Sequence, residues 1–444
     1  MRTIGFLAAL LLILLAPLGV FAQTQDFSEM QKWLALKATE GGLPPGTKIT
    51  LDNWRQYQQY MPLGLDVLFE GKYFWKMPPG AEIDIGPTER GLLPKNYVEA
   101  GEKYGAQTRV VHLPNGHMDI ANYVAGIPFP SPQGPDKGYE ILVNNWLAYV
   151  PHIYCNTPDN DGQLWFQDRF RSFTESDVDV VYRQTGYNTD PGTQRTEPAG
   201  GTWYTEWLMQ ETPEQAKYTQ SLELFYMDQQ KTLDLYVFVP ALRRSLRLAT
   251  TARCAPVFGS DWTNDDAKTI GFNGGIALFD AKVLAERPVI GLMHYNEDYG
   301  TFPGNWLMPI GFYKPSWGKW QVRNVYVLDV RRVPSERSGY CYGSRIMYVD
   351  KEVFYTVWND LYDSNLRLWK VQWWAPRVRP VPGDGDVITN SVGAATYDLQ
   401  NEHASYWSSA NPKGIDPYFN SDTPKQYQNL VRFSTPAGMM QVMR

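Results

Sequence analysis

The sequence predicts an α+β protein dominated by one large antiparallel sheet or barrel. Three observations carry this. Residues 343–371 read as three short strands separated by two tight turns, Asp350-Lys351-Glu352 and Asp363-Ser364-Asn365. Strand residues there are β-branched or aromatic, and the turns hold Asp, Asn and Ser, which bond their own backbone. From about Gln163 onward, strand-length segments recur between Gly-, Pro- and Asp-rich breaks. The N-terminal quarter, by contrast, shows helical spacing of its apolar residues.

The chain begins MRTIGFLAALLLILLAPLGVFAQ, a targeting segment. Arg2 supplies the positive start, residues 4–16 the apolar run, Pro17 a break, and Val20-Phe21-Ala22 a cleavage site that favours cutting after Ala22. An uncleaved anchor is the alternative, because the run has borderline length for a bilayer. The rest of the chain is expected to be soluble and exported. Removing Arg2 takes the net charge from −6 to −7, 40 basic against 47 acidic residues, which argues against nucleic acid as partner.

Residues 27–39 carry one apolar face, with Phe27, Met30, Trp33 and Leu34. Thr50 is placed to cap a helix through Leu51–Tyr60. The first half of residues 64–78 and residues 94–104 suggest two more short helices. Residues 124–135, VAGIPFPSPQGP, are too rich in Pro and Gly for a helix. A helix follows over 137–149, with Tyr139, Leu142, Val143 and Trp146 on one face. Strands are then read at 163–170, 177–184, 202–210, 218–228, 232–239, 243–250, 288–296 and 322–333. Residues 259–284 interrupt them, with a short helix expected at the end. Residues 295–319 form an aromatic, Gly-rich loop of the length typical of lids and binding loops. Residues 400–444 are polar and are expected to wrap the sheet.

Parity along the strands assigns faces. Leu233, Leu235, Val237 and Val239 share one side, Leu222, Leu224 and Tyr226 another, and Val322, Tyr326, Leu328 and Val330 a third. These are read together as the apolar concave face. Glu223, Phe225, Arg323 and Asp329 then fall on the solvated side. Leu222, Leu224, Tyr226, Leu235, Val237, Tyr326 and Leu328 are the resulting candidates for an apolar groove. Aromatics make up 14% of the chain, which fits either a heavily stitched core or such a groove.

Catalytic motifs are absent: the sequence holds no GxSxG, HExxH, GxGxxG or phosphate-loop pattern. The histidines His112, His117, His152, His294 and His403 lack ligand spacing, and no metal or cofactor is expected. Residues 157–168 mimic a calcium loop through Asp159, Asp161 and Gly162, but Thr157 replaces the first Asp, and a hairpin turn reads better. Asp261, Asp265 and Asp266 form an acidic cluster that would suit glycoside hydrolysis. Arg243, Arg244, Arg247 and Arg253 form a basic stretch; the first three are candidates for a ligand headgroup. Of three cysteines, Cys254 and Cys341 both flank sheet strands and are the favoured pair, leaving Cys155 free or buried.

Several segments resemble the domain-of-unknown-function 1329 family. They are GIPFPSPQ with the following LVNNWLAY, LRRSLRLATTARCAP, KWQVRNVYVLDVRRV and YGSRIMYVDKEVFYTVWNDLYDSNLRLWKV. The family is grouped with the periplasmic outer-membrane lipoprotein-sorting (Lol-type) carriers. That resemblance implies an incomplete, half β-barrel whose concave apolar face is covered by helices. It also implies a location in the periplasm of a Gram-negative envelope and a lipid, lipoprotein acyl chain or sterol-like ligand. Further implied partners are an inner-membrane resistance-nodulation-division exporter and an outer-membrane barrel protein. It implies no catalytic residue, so the protein is expected not to be an enzyme. The expected organisation is a targeting segment at 1–22 and a mainly helical region with the Pro/Gly loop at 23–135. The open barrel takes 136–400 and the wrapping segment 401–444, as one unit with the barrel. The alternative function is an exported carbohydrate-active enzyme or glycan-binding protein; a third is an envelope scaffold whose surface binds a protein.

Overall fold

The computed structural model describes residues 27–39, 42–156, 162–193, 201–249, 253–266, 268, 271–294, 302–408 and 417–443. Residues 1–22, read from the sequence as a targeting segment, and the 157–161 part of the calcium-like loop lie outside these residues. Among the described residues no helix is long and apolar enough to cross a membrane.

The N-terminal region holds α1 (Ser28–Ala35), β1 (Lys48–Thr50), α2 (Leu63–Glu70), β2 (Glu82–Asp84), α3 (Lys95–Tyr104) and the hairpin β3 (Arg109–His112) with β4 (Met118–Ala121). The helix expected from Thr50 is instead a 3₁₀ segment at Trp54–Tyr60. Thr50 ends a strand, and Asn53 Oδ1 accepts its backbone N–H at 2.7 Å. Helix α4 (Lys137–Trp146) follows the Pro/Gly loop.

The sheet then forms in two runs. The first comprises β5 (Ile153–Asn156), β6 (Gly162–Gln167), β7 (Phe173–Gln184), β8 (Thr202–Gln210), β9 (Gln220–Tyr226), β10 (Asp234–Val239) and β11 (Arg244–Leu248). The second begins with β12 (Phe279–Gly291). It passes the small hairpin β13 (Trp306–Leu307) and β14 (Phe312–Tyr313), then continues as β15 (Gln321–Arg332), β16 (Ser344–Asp350) and β17 (Thr356–Tyr362). Next come β18 (Leu368–Val381), β19 (Gly385–Asp398), β20 (His403–Ser408) and β21 (Tyr418–Phe419). Short helices α5 (Leu430–Ser434) and α6 (Pro436–Met439) end the described chain.

Among the described residues the main sheet has 15 strands, in the order β11-β10-β9-β8-β7-β6-β20-β19-β18-β17-β16-β15-β12. Off that path, β5 pairs with β7 and β21. The neighbours pair antiparallel. The two runs meet at the centre, where Ala404–Ser408 pairs with Gln163–Gln167. The edges β11 and β12 do not pair, so the sheet stays open. Residues 401–444 therefore do more than wrap it: their first strand closes its middle. The short helix expected near residue 284 is the first half of β12. Ala, Lys, Leu and Glu favour a helix there, but β12 pairs with β15 from Phe279 to Gly291, and that ladder overrides local preference.

The sheet curls strongly. Strands β9 and β15 are nine steps apart in the order, which would separate them by roughly 43 Å in a flat sheet. Yet residues 253–273 reach both, through Asn273 to Glu223 on β9 and through Asp265 to Arg332 on β15. The face those contacts define is the concave one. Its apolar cluster joins Leu235 and Phe225 from one run with Leu328, Val330 and Met347 from the other, and includes Trp146 of α4. The outer face divides into two clusters. One packs α1, α2 and the β13–β14 region against β15–β20. The other packs α5 and α6 against Val181, Trp207, Leu222 and Phe238. The loop expected as a lid is, over its described residues 302–319, part of this outer covering: the Trp306 and Trp317 rings lie 4.9 Å apart in an edge contact.

Candidate functional site

The connection from β11 to β12 must travel from one edge of the sheet to the other. It does so across the concave face, and it carries Arg253, Asp265, Asp266 and Lys268 into the interior. The Cys254–Cys341 disulfide fixes its start to the β15–β16 connection. Arg253 pairs with Asp265 and donates to the carbonyl of Asn273 at 2.6 Å. Asp265 also accepts from Tyr340 Oη at 2.7 Å and lies 3.4 Å from Arg332 Nη2. Asp266 pairs with Arg345 and accepts from Tyr342 Oη at 2.7 Å and Thr263 Oγ1 at 2.9 Å. Buried charges of this kind persist only when paired and hydrogen-bonded. Burial pushes the Asp265 carboxyl up, but Arg253 and Arg332 outweigh it and hold it below the ordinary range.

Three interior groups are less fully compensated. Burial, reinforced by neighbouring Glu223, pushes the Glu206 carboxyl well above its usual value; the Tyr182 hydroxyl and Lys268 offset this only in part. Burial raises Glu223 to about 7, with Arg253 opposing and Asp265 adding to the rise. Burial lowers Lys268 to about 7 against the pull of Glu206. The Lys268 ammonium donates to the Trp146 carbonyl at 3.0 Å and sits 4.3 Å from the Trp146 ring. The rings of Trp203 and Tyr204 are each 5.1 Å away.

Two openings flank this network. A cleft of about 530 Å³ lies between the β9–β10 turn and the β15–β16 connection. Phe225, Tyr226 and Leu233 line it from one run, Arg332, Glu336 and Tyr340 from the other, together with Trp146 and Leu278. A smaller cavity of about 80 Å³ has Leu164, Leu208, Trp262, Trp374 and Trp407 as apolar walls and Glu206, Asp266 and Lys268 among its polar groups.

The residues singled out in the sequence are dispersed. Leu235 and Leu328 belong to the concave cluster, and Tyr326 packs against it. Val237 follows the parity of Leu235 and pairs with Leu246. Tyr226 lines the larger cleft, its hydroxyl bonded to Asp234 at 2.8 Å. Leu222 and Leu224 lie on the opposite face, with α5 and α6, while Glu223 and Phe225 point inward. The parity read for β9 is thus reversed over Leu222 to Phe225. Both faces of the sheet are covered, so apolar residues alone do not mark the inside. Arg243 sits in a left-handed turn, Arg244 is exposed at the start of β11, and Arg247 pairs with Asp234. None of these three lines either opening. Arg253 is separate from them, enclosed with Asp265. Asp261 accepts from Ser405 Oγ at 2.7 Å; together with the arginine-bound Asp265 and Asp266 it braces the crossover, and the cluster offers no exposed carboxyl pair. Glu206 and Lys268 were missed. The available signal was a lone acid within the apolar β8 sequence TWYTEWLMQ.

No curated relative matches the chain. Solved structures resemble it distantly. A candidate outer membrane lipoprotein-sorting protein domain from Vibrio parahaemolyticus is 13% identical with a TM-score of 0.46, covering 68% of this chain and 100% of that one. A DUF1329 family protein from Desulfovibrio piger is 14% identical with a TM-score of 0.45, at the same coverages of 68% and 100%. A LolA superfamily protein from Nitrosomonas europaea is 11% identical with a TM-score of 0.36, covering 64% and 92%. The fold described above rests on the chain's own strand order and not on these likenesses. A family model described as "Protein of unknown function (DUF1329)" matches residues 48–437, most of the sequence, and the chain belongs to that family.

Proposed function

We propose that this protein is an exported, periplasmic carrier or binding protein for a hydrophobic ligand such as a lipid, an acyl chain or a sterol-like molecule. The observation that carries the reading is the open, curled sheet. Its inner face holds an apolar cluster, and beside that cluster lies a cleft of about 530 Å³ lined in part by Trp146, Phe225, Leu233 and Leu278. A volume of that order is typical of small-molecule sites. Each methylene transferred from water into such a site contributes about 0.8 kcal/mol, so an acyl chain gains affinity without many polar contacts. The N-terminal targeting segment supports export. An exporter of the resistance-nodulation-division type and an outer-membrane barrel are the partners this reading favours.

The test is organic extraction and native mass spectrometry of the purified protein, with displacement of a fluorescent fatty acid as a second readout. A bound lipid, or saturable binding weakened at least tenfold by Leu233→Arg, is the expected result. A protein that carries nothing and binds no fatty acid, lipid or sterol probe overturns the reading.

A further inference from the structure

The smaller cavity has a construction that the larger cleft lacks. Its walls are apolar, and its ionisable end holds one base and one acid that are not paired within hydrogen-bond reach. Glu206 is 1% exposed, and its Oε2 has no hydrogen-bond partner among the described residues, while Oε1 accepts from Tyr182 Oη at 3.2 Å. Lys268 is 2% exposed and has no carboxylate within ion-pair distance among the described residues, although all the interior arginines named above have one. Asp266, the third ionisable group on the cavity wall, is already engaged by Arg345, Tyr342 and Thr263.

We infer that this cavity is a binding site for a carboxylate-headed amphiphile, with Lys268 and Glu206 as its head-group contacts. This rests on the carrier reading and narrows it to a ligand class. An entering carboxylate would accept from the Lys268 ammonium and from the protonated Glu206 carboxyl, satisfying both groups at once. An alkylamine would place a second cation beside Lys268. An alcohol would leave the Lys268 charge without a counter-ion in an apolar enclosure, which is costly. The aromatic faces of Trp146, Trp203 and Tyr204 hold the ammonium in the ligand-free protein. The burial of Glu206 fits the same picture, since it keeps that acid protonated and able to donate to the arriving anion. A cavity of about 80 Å³ has room for about six water-sized groups, enough for a carboxylate and the next three carbons, so the end of a longer chain extends beyond it.

The experiment is calorimetric titration of the folded, full-length mature protein at pH 6 with hexanoate, 1-hexanol and hexylamine. Hexanoate is expected to bind at least tenfold more tightly than the other two. Lys268→Met should remove that preference, and Leu208→Phe, which fills the wall without touching the charges, should weaken all three. Because Lys268→Met could disturb folding, the wild type is also titrated with carboxyl-labelled hexanoate by ¹³C NMR. Pairing with Lys268 predicts that the bound acid deprotonates at lower pH than the free acid. Equal affinity for hexanol and hexanoate, an unshifted or raised bound-acid titration, or unchanged hexanoate binding in folded Lys268→Met each overturns the inference. If hexanoate fails while long-chain lipid still binds in a Leu233→Arg-sensitive way, the carrier reading stands without this site. If no amphiphile binds at all, both fall.

Discussion

Asp360 shows how a single residue couples packing to pH. It points to the outer face of β17, where its two oxygens accept from Tyr348 Oη at 2.8 Å and Trp358 Nε1 at 2.9 Å. Helix α2 lies directly on it: a methyl group added at Gly64 would come 2.3 Å from Asp360 Oδ1. Burial raises this carboxyl to about 7, with the two side-chain donors offsetting part of the rise. The folded state thus holds a proton that the unfolded chain releases near pH 4. The associated stability is complete below that pH and is lost as pH climbs through about 7. Asp360→Asn should flatten the decline of the thermal midpoint between pH 4 and 7, removing a component on the order of 4 kcal/mol. An unchanged slope in the variant would show that Asp360 is ionised in the folded protein. The residue is visible in the sequence as a lone acid in TVWNDLY, but whether it faces water or α2 depends on contacts hundreds of residues away.

Among the elements, α4 has the most constrained seat. Its apolar residues were legible from their spacing, and Tyr139, Leu142, Val143 and Trp146 do share the concave cluster. What it packs against was not legible. Gly138 allows the helix to meet the β12 backbone, since a Cβ there would lie 2.1 Å from the Ala281 carbonyl oxygen. Gly138→Val should lower stability by about 1–3 kcal/mol through overpacking and lift α4 from β12. Chemical denaturation measures the first effect, and hydrogen exchange over residues 137–146 and 279–291 the second. Wild-type exchange in both segments would refute this account of the seat. Strand β12 illustrates the converse. Its first half carries helix-favouring residues, and only pairing with β15 makes it a strand. Strands β16, β17 and β18 were readable because their turns and β-branched residues act locally.

At the scale of the whole molecule, the topology explains why the interior is polar at all. Two antiparallel runs meet at β6 and β20, so the sheet's free edges are consecutive in the chain and the link between them must cross the opening. That link brings Arg253, Asp265, Asp266 and Lys268 inside, where Glu206, Glu223, Arg332 and Arg345 on the strands face them. The disulfide, spanning 87 residues of sequence, ties the link to the second run. Cys254→Ser with Cys341→Ser should lower the unfolding free energy by about 4.6 kcal/mol on chain-entropy grounds. Limited proteolysis should then open the 253–278 region before the sheet. A stability equal to wild type under oxidising conditions would mean that the buried ion pairs alone hold the link.

The sequence by itself determined the α+β class, the strand meanders, the amphipathic helices and the family, because strand alternation, helical spacing and turn chemistry all act within a few residues. Tertiary structure decided which face of each strand is inside. Both faces are covered, so hydrophobic parity is symmetric, as Leu222 and Phe225 show from opposite sides of β9. It also decided that a polar C-terminal stretch supplies the sheet's middle strand, and that an acidic cluster resembling a catalytic site is a brace for the crossover. These outcomes depend on which distant strands the curl of the sheet brings together, and no local pattern encodes that.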